Sequence, residues 1–215
     1  MDSKRFAGTA ILGTLVIVLD YSMKFSGLKI PFPWLPYLKF DFTGVPIVLS
    51  LLLFGLASGA TTSAVALLGI VARSGNFVGA SMKALAEFST ILGFATSQKM
   101  LQKTGKLAKI ISPILGVTSR CLIMFFANLI ILPIYYGTPQ MAVIGLSPIV
   151  VVFNCIQGTI SVLLGYFLYS AITSRISSLA TGKNGVPSER RKTQMNKSFC
   201  LGLISFVALA LIDFG

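Results

Sequence analysis

Hydrophobic residues in this chain run continuously rather than in alternation. Apolar stretches cover residues 6–25, 44–57, 59–76, 77–98, 107–136 and 147–174, and a further one covers 199–214. Long unbroken apolar runs predict helices, because half-buried strands alternate with a period of two. A helix needs about 20 apolar residues to cross a bilayer core, and most of these runs approach that length. The second and third are shorter, and only the small residues around Ala57, Ser58 and Gly59 divide them. One bent helix and two short ones both fit that pattern. The last run is short and carries Asp213. The expected architecture is an all-α membrane protein. Six crossing helices occupy 1–175, a basic polar linker 176–198, and an additional hydrophobic helix 199–215.

Composition supports the membrane reading. The chain is 54% hydrophobic and 11% charged, with mean hydropathy +0.85, whereas soluble domains carry about 25% charged residues. With lipid as solvent, backbone polar groups need internal partners, and helices supply them. The net charge of +12 follows topology better than nucleic-acid binding, because the basic residues sit at loop ends. Lys4 and Arg5, then Lys99, Lys103, Lys106 and Lys109, then Arg175, Lys183, Arg190, Arg191, Lys192 and Lys197 fall on one side when six helices are threaded. Lys24, Lys29, Lys39, Arg73 and Lys83 fall on the other. The positive-inside rule then predicts a cytoplasmic N-terminus in the cell membrane. The first run has the flanks of a signal peptide, but no small-x-small site follows it, so it reads as a retained helix.

Catalytic sets are missing from the sequence. There is no histidine and no G-x-S-x-G elbow, and Gly105-Lys106 and Gly182-Lys183 are not followed by Ser or Thr as a phosphate loop requires. Cys121, Cys155 and Cys200 lie in apolar runs without metal spacing and read as packing residues. The expectation is a protein that is not an enzyme and holds no metal or cofactor.

Two features point to a ligand. The first is Leu28–Gly44, LKIPFPWLPYLKFDFTG. Prolines 31, 33 and 36 fix its backbone, and Phe32, Trp34, Tyr37 and Phe40 offer flat apolar surface. It suits a lid over a planar molecule, although composition alone favours an interfacial aromatic belt. The second is a set of polar residues inside apolar runs: Glu87, Arg120, Asn128, Asn154 and Gln157. Such residues face a cavity or another helix. Asn154 and Gln157, three apart, share a helix face, and each amide offers donor and acceptor. That suits an uncharged ring whose edge alternates C=O and N–H. Interhelical hydrogen bonding is the structural alternative.

Three blocks resemble the riboflavin-specific S component of energy-coupling-factor (ECF) vitamin transporters: PFPWLPYLKFDFTGVP at 31–46, NLIILPIY at 128–135 and FNCIQG at 153–158. The resemblance spans nearly all of 1–175. It implies a six-transmembrane-helix S-component bundle with a pocket near the outer face. It implies flavin contacts from Asn128 and Asn154, with Gln157 where the family has lysine and Glu87 where it has asparagine. The family's acidic and lysine positions in the third helix fall near Ser63 and Ala66. The lid would supply Trp34, Leu35, Tyr37, Leu38, Lys39 and Asp41. Expected partners are a transmembrane T subunit and two cytoplasmic ATPases, which would energise uptake. The first helix would meet the T subunit through small residues spaced by four, Thr9 with Gly13 or Ala10 with Thr14. Two other functions fit the residues: an S component for a different vitamin-like molecule, and a stand-alone ion-coupled carrier using Glu87 and Arg120.

Overall fold

The computed structural model describes residues 3–101 and 106–184. Along them run α1 (Ser3–Phe25), β1 (Ile30–Phe32), β2 (Leu35–Phe40), α2 (Gly44–Phe54), α3 (Leu56–Ser74), α4 (Phe77–Met100), α5 (Lys106–Tyr136) and α6 (Gln140–Asn184). The six expected helices form. Two limits differ. α6 starts at Gln140 rather than 147, with Pro148 inside it. A proline lacks the N–H of an interior turn and argues for a helix start in sequence, yet this helix carries it. α6 also runs on to Asn184, so the first residues of the expected linker extend the helix. Residues 185–198, and the expected hydrophobic helix at 199–215, lie outside the described residues.

The second and third runs form two helices. Gly55 divides them at φ 94° and ψ 178°, a backbone region open to glycine and almost closed to residues with a Cβ. α2 has 11 residues, about 16 Å of helix. It is too short to cross a core of about 30 Å. Every residue from Gly44 to Leu51 is buried, as expected for a helix that is apolar all round. α2 lies enclosed by α6, α3, α1 and α4. Around it α1 packs on α3, α3 on α4, α4 on α5 and α5 on α6. Val16, Ile47, Ala66, Ile91, Val117 and Val162 bring all six helices into one apolar core.

By length and hydropathy α1, α3, residues 108–136 and residues 140–175 are able to cross a membrane. α4 has the length, 24 residues, but not the hydropathy. Its Glu87, Ser89, Thr90 and Ser97, which lower its average, are buried in the bundle and kept from lipid.

The proline-aromatic segment forms a β-hairpin. Ile30 pairs with Phe40, Pro31 with Lys39 and Phe32 with Leu35, the register shifting between Pro31 and Phe32. Phe32 is buried against Phe153 of α6, ring centroids 5.5 Å apart, and Phe40 lies 5.0 Å from the same ring. With Leu35, Val150 and Val152 these rings form a second apolar cluster that seats the hairpin on α6.

Gly55→Ala is expected to destabilise the protein by about 1–3 kcal/mol. Nothing lies within 4 Å of the added Cβ, so the cost is conformational. The midpoint of unfolding in an SDS titration against wild type measures it.

Candidate functional site

The hairpin, the end of α1, the end of α3 and the start of α4 meet at the end of the bundle opposite the N-terminus. Charge fastens them together. In α1, Asp20 accepts from Lys29 Nζ at 2.5 Å and from Arg73 Nε at 2.6 Å. Lys83 of α4 pairs with Asp41 beyond β2. Cross-contacts of 3.8 Å join Lys29 to Asp41 and Lys83 to Asp20. Two carboxylates and three cations thus tie four segments into one network. Its carboxylates are almost fully buried, Asp20 at 1% and Asp41 at 5% exposure.

Asp41 is held on every side. Its Oδ1 accepts from Thr43 N–H at 3.2 Å and Thr43 Oγ1 at 2.6 Å. Its backbone carbonyl accepts from Gln157 Nε2 at 2.7 Å, and its N–H donates to Gln157 Oε1 at 3.4 Å. Gln157 therefore spends its amide on the root of the hairpin. Burial alone would push the Asp41 carboxyl up. Lys83, Thr43 and Lys29 more than offset this and hold it below the usual carboxylate range. Burial first, and then repulsion from Lys83, lowers the Lys29 ammonium, with Asp20 and Asp41 opposing.

Beneath the hairpin lies a cavity of about 750 Å³, within the range of small-molecule pockets. Asn128, Asn154, Gln157 and Glu87 line it from the helices, and Tyr37, Leu38, Lys39 and Asp41 from the hairpin side. The sequence reading thus gathered eight residues that share one space. Trp34 and Leu35 are corrections, because neither lines it. Leu35 points into the apolar cluster on α6. Trp34, 62% exposed, sits at the tip of the hairpin with its ring edge-on to Phe32. Alternation along a strand sends neighbouring side chains to opposite faces, so one hairpin cannot turn all its aromatics toward a ligand.

A buried polar network forms part of the cavity wall. Arg120 of α5 donates through Nη1 to Glu87 Oε1 at 2.8 Å and through Nε to Asn154 Oδ1 at 3.2 Å. Asn154 Nδ2 donates to the Val150 carbonyl at 2.9 Å, and Asn128 Nδ2 to the Met124 carbonyl at 2.7 Å. Each asparagine keeps hydrogen-bonding capacity beyond these contacts. Behind Glu87, a Cβ on Gly44 would stand 2.3 Å from Ser161 Oγ and 2.5 Å from Glu87 Oε2, so only glycine lets the start of α2 come this close.

The small residues of α1 divide. Thr9 and Gly13 are buried, with the Gly13 Cβ position 3.3 Å from Val65 of α3. Packing inside the bundle uses this pair, which corrects its assignment to a partner surface. Ala10 and Thr14 remain exposed. Asp20, Lys29, Arg73 and Lys83, which also line the cavity, were not singled out as site residues in the sequence, whereas Arg120 stood out there as a polar residue in an apolar run. An acid such as Asp20 inside an apolar run was the available signal, since intramembrane charges need partners.

Fold, cavity and buried charge define a multi-pass helical membrane protein of the substrate-binding class. No protein-family model matches the chain. It is 29% identical over 173 residues to the riboflavin transporter FmnP of Bacillus subtilis (strain 168), covering 74% of this chain and 87% of that protein. A solved S component of a bacterial ECF transporter superposes with TM-score 0.68 at 26% identity, covering 82% of this chain and 99% of that one. Both similarities support an ECF S component of the riboflavin-transporter type, and both of these relatives are transport proteins rather than enzymes.

A depressed carboxyl pKa favours folding while the carboxylate is ionised. The Asp41 contribution is therefore full above its unfolded value of about 4 and is lost as pH falls through the lower folded value. Thermal midpoints in detergent are expected to stay flat from pH 8 to 6 and to drop below about pH 4. Asp41→Asn should lower the neutral plateau and flatten the acid limb.

Proposed function

We propose that this subunit captures riboflavin, or a flavin close to it, in the cavity beneath the hairpin. It then delivers the flavin inward when engaged by an ECF T subunit and two ATPases. The observation that carries the reading is the convergence of Asn128 and Asn154 on one ligand-sized space. The two come from different helices and lie 26 positions apart in sequence (128 to 154). Their spare donors and acceptors match a ring edge that alternates carbonyl and N–H. The apolar lining from Leu38, Val150 and Phe153 suits the ring faces. A misfit molecule leaves buried polar groups unpaired, at roughly 1–3 kcal/mol each.

The N-terminus is assigned to the cytoplasm, which puts the cavity at the outer face. The charge count at loop ends supports this. The five basic residues expected outside cluster at the cavity end, and Lys29, Arg73 and Lys83 share the two carboxylates of Asp20 and Asp41 there. The sequence offers no phosphate loop, so ATP-driven uptake needs separate subunits. On α1, the exposed Ala10 and Thr14 are the small residues left for a T-subunit contact.

Mass spectrometry of ligand released from detergent-purified protein is expected to find a flavin, and the preparation to be yellow. A different molecule there would redirect the assignment. Asn128→Ala and Asn154→Ala should each weaken riboflavin binding by about tenfold or more while the protein still inserts. Fluorescence quenching measures this, and unchanged binding in both variants would remove them from the site. Proteoliposomes holding this chain alone should take up no flavin. Uptake should require the T subunit and ATPases.

A further inference from the structure

We infer that Arg120 touches the bound molecule itself, its free Nη2 edge donating to a ring carbonyl or an adjacent unprotonated ring nitrogen. This rests on the flavin reading and adds a residue that determines ligand specificity.

The guanidinium is only partly used. Nε donates to Asn154 Oδ1, and Nη1 donates to Glu87 Oε1 at 2.8 Å and Thr90 Oγ1 at 3.4 Å. Among the described residues Nη2 donates to nothing. Nor is it one of the fully enclosed side-chain atoms without a partner, which are Glu87 Oε2, Ser112 Oγ and Ser161 Oγ. Nη2 therefore reaches open space, and the space Arg120 borders is the cavity. At 3% exposure the residue is otherwise shut in.

The form of the ion pair argues against a purely structural role. A buried arginine that serves only its carboxylate favours the two-pronged arrangement, with two parallel N–H···O bonds. Here Glu87 engages through one oxygen, and its other oxygen turns away toward Gly44 and Ser161. One whole nitrogen of the guanidinium is left for something else. Glu87 still cancels the charge, so the site donates hydrogen bonds without demanding an anion.

Arg120 also decides what Asn154 presents. Guanidinium has no acceptor, so the amide atom facing Nε must be oxygen. The Nδ2 side then meets the Val150 carbonyl and retains one N–H. Arg120 and Asn154 together offer donors. Asn128, whose Nδ2 is bonded to Met124, offers its oxygen as acceptor. Two donor groups and one acceptor complement a carbonyl, N–H, carbonyl edge.

The test uses full-length protein in detergent with riboflavin and its 2-thio and 4-thio analogues, in which sulfur is the weaker acceptor. Wild type should bind riboflavin at least tenfold tighter than one of the two analogues. The double variant Arg120→Gln with Glu87→Gln leaves no lone buried charge. It should bind riboflavin tenfold or more weakly and lose that discrimination. In Glu87→Gln alone Arg120 is uncompensated, so the bound flavin should release its N3 proton at lower pH, seen in its absorption spectrum. A folded double variant with wild-type affinity and discrimination overturns the role of Arg120. So does a wild type that binds both analogues as well as riboflavin, a result that needs no variant to fold. Wild type that binds no flavin overturns the functional reading, and this inference falls with it.

Discussion

Charge buried in a low-dielectric bundle has to be neutralised where it stands, and the cavity end of this protein is organised by that requirement. Removing one partner of a buried pair costs several kcal/mol because the other is left uncompensated. Asp20 and Asp41 are shared among Lys29, Arg73 and Lys83, which keep some contact with solvent, and Glu87 meets the demand for Arg120. The first network joins segments that are far apart in sequence. The second joins α4 to α5 and, through Asn154, to α6. Hydrophobic packing alone is non-directional and would not fix these elements in register around a space.

Packing supplies the frame on which that charge acts. α2 is enclosed, so the other helices wrap a common axis, and its first residue, Gly44, brings the end of the hairpin segment up against Glu87 and Ser161. The hairpin is held in two ways. On the α6 side the rings of Phe32, Phe40 and Phe153 pack edge-on and tilted into an apolar cluster. On the α1 and α4 side ion pairs do the work. Gln157 adds a backbone clamp at the root of the hairpin.

Much of this was legible in the sequence. The apolar runs showed all six helices, because lipid leaves the hydrophobic pattern little freedom. Asn128, Asn154, Gln157 and Glu87 stood out as polar groups in apolar runs, and all four line the cavity. What escaped detection depended on contacts between distant segments. Nothing local says that Gln157 hydrogen-bonds the Asp41 backbone, 116 positions away. The prolines hid the hairpin, since Pro31, Pro33 and Pro36 argue against strand. They are tolerated because the two strands form a sheet with both edges open. Leu35 was misjudged because composition does not reveal which face of a strand a side chain takes, and Trp34 because it does not reveal which residues form the turn. The Thr9–Gly13 pair was misjudged because small residues serve a helix inside the same chain as readily as one in a partner.

α6 also acts as a ruler. Asn154 and Arg175 stand on the same continuous helix, 21 residues apart, which is about 31 Å of axial rise. That distance matches the thickness of the hydrocarbon layer, about 30 Å. If Arg175 marks one boundary of the layer and the proposed flavin site at Asn154 is right, the bound molecule rests beside the other boundary. Carrying it across then takes a displacement of nearly the whole layer, far beyond the reach of a rotating side chain.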